Sequence, residues 1–147
     1  MAVIRAMTEG DLDAILRLET DTPEAPQWER ATYEGFCEDS PAKQLFVAAD
    51  DDRLAGFVAA QIVVDVCGLE SIAVGAATRR TGVGSALLTT LINWARQRGA
   101  SRMQLEVRAE NISAIGFYEH AGFRRDGLRR KYYQNPEEDA VLMSRVL

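Results

Sequence analysis

The segment from residue 69 to residue 99 places the strongest constraint on the fold, because two periodicities meet there at a glycine-rich turn. LESIAVG (69–75) predicts a short strand, and a helix is predicted from near Gly82 until Gly99 supplies its end. The stripe of that helix which faces the core recurs at helical spacing: Val83, Ala86, Leu87, Thr90, Leu91 and Trp94. Such a chain has to pack a helix against a sheet.

The remaining segments extend this pattern into a mixed order of strands and helices. Alternation predicts strands and a 3.6-residue period predicts helices, with Thr8 and Asn111 as N-caps. The further elements are a strand at 2–7, a helix at 8–19, a short surface helix near 28–36, a hairpin of strands at 44–49 and 53–65, a strand at 102–108, a helix at 112–120, a strand and turn at 123–133 and a closing strand at 139–147. This order favours an α/β fold of the mixed α+β kind, with helices on the faces of one sheet.

Length and composition bound the class of protein. No linker divides the 147 residues, so 1–147 is predicted to form one domain. The net charge of −5 argues against nucleic acid as a partner and favours a cationic substrate. No apolar run approaches the ~20 residues of a membrane span, and the N-terminus lacks the apolar core of a signal peptide, so a cytoplasmic protein is expected. Cys37 and Cys67 are expected to be reduced, and no metal site is predicted.

The turn RRTGVGS (79–85) is a candidate anion site. It follows a strand and opens a helix, whose N-terminus carries free N–H groups and partial positive charge. Glycines let a phosphate oxygen approach the backbone, and Arg79 and Arg80 add cations at the rim. The turn is neither a Walker A loop nor GxGxxG, and taken alone it is equally consistent with an ordinary tight turn.

The segment SIAVGAATRRTGVGSALL (71–88) is similar to the acetyl-CoA pyrophosphate-binding signature of the GNAT acetyltransferases, Arg/Gln-x-x-Gly-x-Gly/Ala. Downstream, LEVRAENISAIGFYEHAGF (105–123) resembles the second half of that fold, and most closely the RimI-type enzymes that acetylate the N-terminal alanine of a small-subunit ribosomal protein. The resemblance is strong over 69–133 and weaker elsewhere. It implies a GNAT fold, with a twisted, mostly antiparallel sheet of six to seven strands, helices on both faces and a splay at the acetyl-CoA site.

The resemblance also implies which residues act. Ile72, Ala73 and Val74 would contact the pantetheine arm and thioester of acetyl-CoA, and Asn111 would contact the same co-substrate. The turn residues would wrap the pyrophosphate: Arg79, Arg80, Thr81, Gly82, Val83, Gly84 and Ser85. In RimI-like enzymes the glutamate of LEVR is the general base and the tyrosine of the YE..GF segment is the general acid, which correspond here to Glu106 and Tyr118.

Both catalytic roles suit the chemistry, and both have a structural alternative. A peptide N-terminus has a pKa near 7.7–8.0, so a carboxylate has to take its proton before the amine attacks a thioester. A phenol, with a pKa near 10, can protonate the leaving thiolate. Periodicity alone places Glu106 on the polar face of a strand and Tyr118 in the core. Glu70 is a rival carboxylate, and His120 is interpreted as a residue of the helix C-terminus.

The acceptor side departs from the family pattern. RimI-like sequences carry a Pro-Trp pair in the loop before the second helix, whereas this chain has Pro26-Gln27-Trp28. Four aromatic residues are candidate walls of a peptide slot: Trp28, Tyr33, Tyr132 and Tyr133. Five acidic residues would attract a cationic acceptor or be merely solvated: Glu19, Asp21, Glu24, Glu137 and Glu138.

The leading hypothesis is an acetyl-CoA-dependent N-acetyltransferase that acts on a protein N-terminus without a metal, as a monomer or weak homodimer and with no membrane partner. The altered loop and the acidic balance leave open a small amine or polyamine as the acceptor. A third hypothesis is an acyl-CoA-binding module without turnover, and the presence of both Glu106 and Tyr118 argues against it.

Overall fold

Seven strands form one sheet in the order β1-β2-β3-β4-β5-β7-β6. The computed structural model describes residues 2–23, 25–38, 40–51, 53–76 and 81–147. The strands are β1 (Val3–Ala6), β2 (Lys43–Asp50), β3 (Arg53–Val63), β4 (Val66–Val74), β5 (Arg102–Arg108), β6 (Arg124–Tyr133) and β7 (Glu138–Val146). The α-helices are α1 (Leu12–Thr20), α2 (Arg30–Glu34), α3 (Val83–Gln97) and α4 (Ile112–His120).

The predicted order of elements and the mixed α/β fold are confirmed, whereas the bounds of several elements differ, most clearly those of β4 and the form of β6. β4 begins at Val66 instead of residue 69, because its first residues pair with β5, which lies far away in sequence. β6 runs as one strand from Arg124 to Tyr133, although a strand and a turn were predicted there. Its pairing with β7 is irregular between Arg129 and Tyr133, where Lys131 takes a φ of 54°. Its residues are almost all exposed, since it is the edge strand, so no alternation of apolar residues marks it.

Helices cover both faces of the sheet, and each face has its own apolar core. On one face, α3 and α4 pack Leu87, Leu91 and Ile115 against strand residues such as Val58 and Met103. On the other face, α1 and α2 cover a second cluster that includes Ile15, Tyr33, Leu45, Val47 and Phe57. We refer to these as the α3/α4 face and the α1/α2 face.

β4 and β5 are the one parallel pair among the strand pairings of the described sheet, and they separate part-way along their length. Their register runs only from Val66↔Arg102 to Gly68↔Gln104. Beyond it, β4 continues to Val74 on β3 and β5 continues to Arg108 on β7. The sheet therefore opens between residues 69–74 and 105–108, as a splayed GNAT sheet would.

None of the helices in the described part of the chain is long and apolar enough to cross a membrane. Cys37 and Cys67 are free thiols, and Cys67 is buried in the sheet.

A bidentate ion pair ties the first strand to the first helix. The Arg5 guanidinium donates to both carboxylate oxygens of Asp11, at 2.7 and 2.9 Å. The backbone N–H of Thr8 donates to the same carboxylate at 2.8 Å. The Arg5 hydrogen bond is the main cause that holds the pKa of Asp11 below its usual value of 3.8.

Gly56 on β3 is required by a close approach of two strands. A Cβ at this position would lie 2.7 Å from the carbonyl oxygen of Ala73 and 3.2 Å from Cδ1 of Leu87. Neither the β4 backbone nor the buried leucine has room to withdraw, because both belong to packed layers. Gly56 therefore sets the spacing of β3 and β4 beside the opening of the sheet.

We expect Asp11→Asn to lower the free energy of unfolding at pH 7 by about 2 kcal/mol, since it removes hydrogen bonds to a charged group. The folded pKa of Asp11 is depressed, so its contribution is complete above the unfolded pKa and disappears as the pH falls through the folded pKa. Urea unfolding of both proteins between pH 7 and pH 2 would test this. A difference in stability that persists unchanged below both pKa values would contradict it.

We expect Gly56→Ala to lower the free energy of unfolding by about 1–3 kcal/mol, because the added methyl group overpacks the β3–β4 contact. Gly116→Ala is the matched control: nothing lies within 4 Å of a Cβ there, and alanine is the better helix residue by about 0.5–1 kcal/mol. Denaturant unfolding of the two variants is the measurement. Equal losses of stability would refute a steric role for Gly56.

Candidate active site

A cleft of about 1470 Å³ lies where β4 and β5 separate. Its walls include Ile72, Ala73 and Val74 of β4, and Glu106 of β5. It continues to the start of α3, to α4, to the loop before α2 and to the β6–β7 hairpin. One continuous cavity thus connects both faces of the sheet.

The β4 edge that faces the cleft offers backbone groups to a ligand. Residues 69–74 pair with β3 on one side, but their register with β5 has ended at Gly68. The N–H and C=O groups that point towards β5 therefore have no strand partner, and such groups bind extended ligands well. Ile72, Ala73 and Val74 lie on this edge.

The turn at the start of α3 has the geometry of an anion site. Gly82 has a φ of 88°, a left-handed conformation that glycine adopts without strain, and its carbonyl accepts the N–H of Ala86 at 3.0 Å. Gly82, Gly84 and Ser85 line the cleft at the helix N-terminus, where N–H groups are free. Val83 instead packs towards the α3/α4 core, and Thr81 is exposed.

Two predicted phosphate ligands, Arg79 and Arg80, lie outside the described residues. Asn111, at the start of α4, lines the cleft, and its Oδ1 accepts the N–H of Ala114 at 3.2 Å. Asn111 is therefore an N-cap of α4, as its sequence position predicted. Its cap position holds the start of α4 against the open side of the sheet.

Glu106 points into the cleft from the α1/α2 face. Its neighbours Leu105 and Val107 are buried in the α3/α4 core, so alternation along β5 turns Glu106 to the opposite side. Its side chain is 30% exposed, and Oε1 lies 3.7 Å from Nη1 of Arg129. Interaction of the Tyr132 hydroxyl with the Glu106 carboxylate is the main cause that raises the pKa of Tyr132.

Tyr118 reaches the cleft from the α3/α4 face. Its side chain belongs to that core, is 5% exposed and lines the cleft. Its ring contacts Phe117 and Phe123 edge-on, with centroids 5.3 and 5.6 Å away. Burial raises the pKa of Tyr118 far above that of a free phenol, so its hydroxyl remains a proton donor at any physiological pH.

Aromatic side chains line the α1/α2 side of the cleft. Trp28 lies in the loop before α2, and Tyr132 and Tyr133 lie at the end of β6. The Arg108 guanidinium sits 4.4 Å from the Tyr133 ring centroid and also pairs with Glu138 at 3.1 Å. Burial and the nearby Glu106 carboxylate raise the pKa of Tyr133 to about 12.

Tyr33 and Glu19 lie beneath the cleft instead of lining it. Tyr33 is completely buried, and its hydroxyl donates a short hydrogen bond to Glu19. The same hydroxyl lies 3.4 Å from the Ser71 Oγ, which lines the cleft. Tyr33 therefore supports β4 from below, and Glu19, which is 2% exposed, is not available to attract an acceptor. Of the other acidic candidates, Glu24 lies outside the described residues.

The side-chain amide of Gln27 forms the hydrogen bonds that hold the loop before α2. Its Nε2 donates to the carbonyl oxygens of Glu19 at 2.8 Å, Thr22 at 3.0 Å and Ala25 at 3.4 Å. Its backbone takes a φ of 62°, an uncommon conformation for glutamine. The residue that interrupts the Pro-Trp pair thus fixes the loop that carries Trp28.

Sequence reasoning did not identify Arg129 as the partner of Glu106. The two residues belong to β6 and β5, which are separated in the sheet by β7. No local pattern signals such a contact, because it depends on the order of strands. Within the described ranges, no three His, Cys, Asp or Glu side chains are grouped as a metal ion would require.

Comparisons with known proteins agree with this architecture. The family model of the acetyltransferase (GNAT) family matches residues 12–123. The [ribosomal protein bS18]-alanine N-acetyltransferase of Salmonella typhimurium is 36% identical over 146 residues, covering 98% of this chain and 97% of that protein. The enzyme of the same name from Escherichia coli K12 is 35% identical over 147 residues, with coverage of 98% and 97%.

Solved structures of acetyltransferases are also similar to this chain over nearly its whole length. The crystal structure of the ribosomal-protein-S18-alanine N-acetyltransferase from Escherichia coli has a TM-score of 0.85 and 33% identity, covering 99% of this chain and 94% of that one. Nourseothricin acetyltransferase has a TM-score of 0.81 and 30% identity, with coverage of 99% and 98%. The chain therefore belongs to the GNAT family of acetyltransferases and is an N-acetyltransferase.

Proposed function

We propose that this chain transfers the acetyl group of acetyl-CoA to the α-amino group of a protein N-terminus, namely the N-terminal alanine of a small-subunit ribosomal protein. Two relatives named [ribosomal protein bS18]-alanine N-acetyltransferase match nearly the whole chain at 35–36% identity, and this similarity supports the proposed acceptor. Acetyl-CoA supplies the thioester as acyl donor, and GNAT enzymes use this donor.

The observation that carries the proposal is the position of a carboxylate and a phenol on opposite sides of one opening. Glu106 enters the cleft from the α1/α2 face and Tyr118 from the α3/α4 face. An amine that arrives beside Glu106 and a sulfur that leaves beside Tyr118 would be separated by the gap between β4 and β5. Such an arrangement suits direct transfer, without an acyl-enzyme step.

Each residue then has a definite task. Glu106 takes a proton from the acceptor ammonium, directly or through a water molecule, and leaves the nitrogen lone pair free to attack. An N–H of β4 near Val74 stabilises the negative charge that develops on the thioester oxygen. The C–S bond of the thioester breaks and Tyr118 protonates the departing thiolate, while the attacking nitrogen loses its second proton to solvent and solvent returns a proton to Tyr118. The start of α3, including Gly82 and Gly84, would hold the pyrophosphate, and Arg79 and Arg80 remain candidates for the same contact.

A small amine is the second candidate acceptor. The departure from the Pro-Trp pair at Gln27 and the net charge of −5 motivate it, and nourseothricin acetyltransferase, at 30% identity, shares the fold. The test of both candidates is release of free thiol from acetyl-CoA in the presence of a ribosomal N-terminal peptide that begins with alanine. An N-terminally blocked copy of the peptide is the control, and spermidine is the competing small amine. Turnover of the amine alone would overturn the peptide assignment.

We expect Glu106→Gln to lower kcat by about 100-fold at pH 7, since it removes the general base. The loss should shrink as the pH rises past about 8, where the peptide amine loses its proton unaided. Glu9→Gln, an exposed change of equal charge outside the cleft, is the matched control. A defect that is the same at every pH would argue against proton removal as the role of Glu106.

We expect Tyr118→Phe to lower kcat by about 100-fold while the dissociation constant of acetyl-CoA changes little, because only the hydroxyl proton is lost. Steady-state kinetics and calorimetric titration of acetyl-CoA separate the two quantities. Because Tyr118 is a core residue, thermal unfolding of the variant has to be measured alongside. A folded variant with full kcat would remove the assigned role.

A further inference from the structure

A side pocket branches from the cleft on the α1/α2 face. It has a volume of about 240 Å³ and is lined by Gln61, Val63, Val66, Gly68, Glu70 and Gln104. Gly68, Glu70 and Gln104 line the main cleft as well. A molecule bound in the cleft can therefore extend a side chain into this pocket without leaving the surface of the sheet.

A β-bulge directs Glu70 into the pocket. Ala59 pairs with Ser71 and Ala60 pairs with Leu69, so Glu70 is an extra residue on β4. Bulges of this kind turn a side chain away from its regular direction and are common beside active sites. Gly68↔Gln104 is the last parallel pair, so Glu70 and Glu106 occupy equivalent positions on the two separating strands.

The Glu70 carboxylate is available to a cation. Among the described residues, no donor lies within hydrogen-bond distance of it and no cationic side chain lies within 4 Å. Glu70 is an exposed residue of β4, and the limited desolvation of its carboxylate raises the pKa of Glu70, while the more distant charge of Lys43 opposes that shift. An exposed carboxylate without an ion-pair partner gains modestly, as in a surface ion pair, from a cation supplied by a ligand.

The other groups of the pocket suit a long cationic side chain. Val63 and Val66 give an apolar surface for an alkyl stem, and Gln61 adds a neutral amide. Two protein cations lie nearby, but both are engaged. Arg102 donates to Oε1 of Gln104 at 2.9 Å, and the Lys43 ammonium lies 5.8 Å from the ring centroid of Phe36.

We propose that this pocket is a specificity subsite for a lysine or arginine side chain in the first residues behind the acceptor's amino group, with Glu70 as the residue that selects it. The inference rests on the proposed peptide acceptor and names its class: an N-terminal segment that carries a cation close to the reacting amine. The net charge of −5 favours the same class of partner.

The test compares alanine-initiated peptides with lysine, norleucine or glutamate at the second or third position. Wild-type protein should prefer the lysine peptide over its norleucine analogue by about five-fold in kcat/KM, the range of an ion pair at a protein surface. The preference should shrink as salt is added, because the pair is partly open to solvent. This arm uses the unmodified protein.

Variants identify the residue responsible. Glu70→Gln should bring the ratio of kcat/KM for the lysine peptide to that for the norleucine peptide down to about one, whereas Glu9→Gln should keep the five-fold ratio. Glu70→Lys should favour the glutamate peptide. A wild-type protein that acetylates all three peptides equally, or a Glu70→Gln variant that keeps the preference, overturns the subsite while the proposed function stands. Failure to acetylate any of the peptides overturns both.

Discussion

The separation of β4 from β5 after three paired residues is the constraint on which the site depends. Each strand keeps a full partner on its outer edge, β3 for β4 and β7 for β5, so the sheet opens without loss of its other ladders. The two cores on opposite faces hold the walls of the gap in place. Without the gap, Glu106 and Tyr118 would lie on opposite faces of a closed sheet and would share no space.

The arginine side chains that the structure describes around the gap are paired, and Glu106 is one of their partners. Arg108 is held by Glu138 and by the Tyr133 ring, and Arg129 lies beside Glu106 and the Tyr132 ring. Glu70 and Glu106 both line the cleft. Under the proposed function, a positively charged acceptor would find these two carboxylates in the cleft, while an anionic one would have to displace existing ion pairs.

Local patterns in the sequence predict the elements but not the contacts between distant ones. The period of α3 and the alternation of β5 are local, and both segments form the predicted helix and strand. The buried stripe of α3 differs from the predicted one, because Leu88, Ile92 and Ala95 are buried whereas Ala86 is exposed. The opening of the sheet follows from the family resemblance, because no local period encodes which strands pair. The burial of Tyr33, the bulge at Glu70 and the contact of Arg129 with Glu106 depend on tertiary packing and strand order. The same limit applies to the edge strand β6, where exposed residues carry no alternation.

The loop before α2 carries a consequence for the thermodynamics of acceptor binding. The side-chain amide of Gln27 donates hydrogen bonds to carbonyl oxygens of this loop and of the end of α1. These bonds order the segment that carries Trp28 in the absence of an acceptor. A binding wall that is ordered in advance loses little conformational entropy when it closes on its ligand. Under the proposed function, the same rigidity would limit the range of acceptors, since a loop that is held by its own hydrogen bonds reshapes less readily around a bulkier first residue.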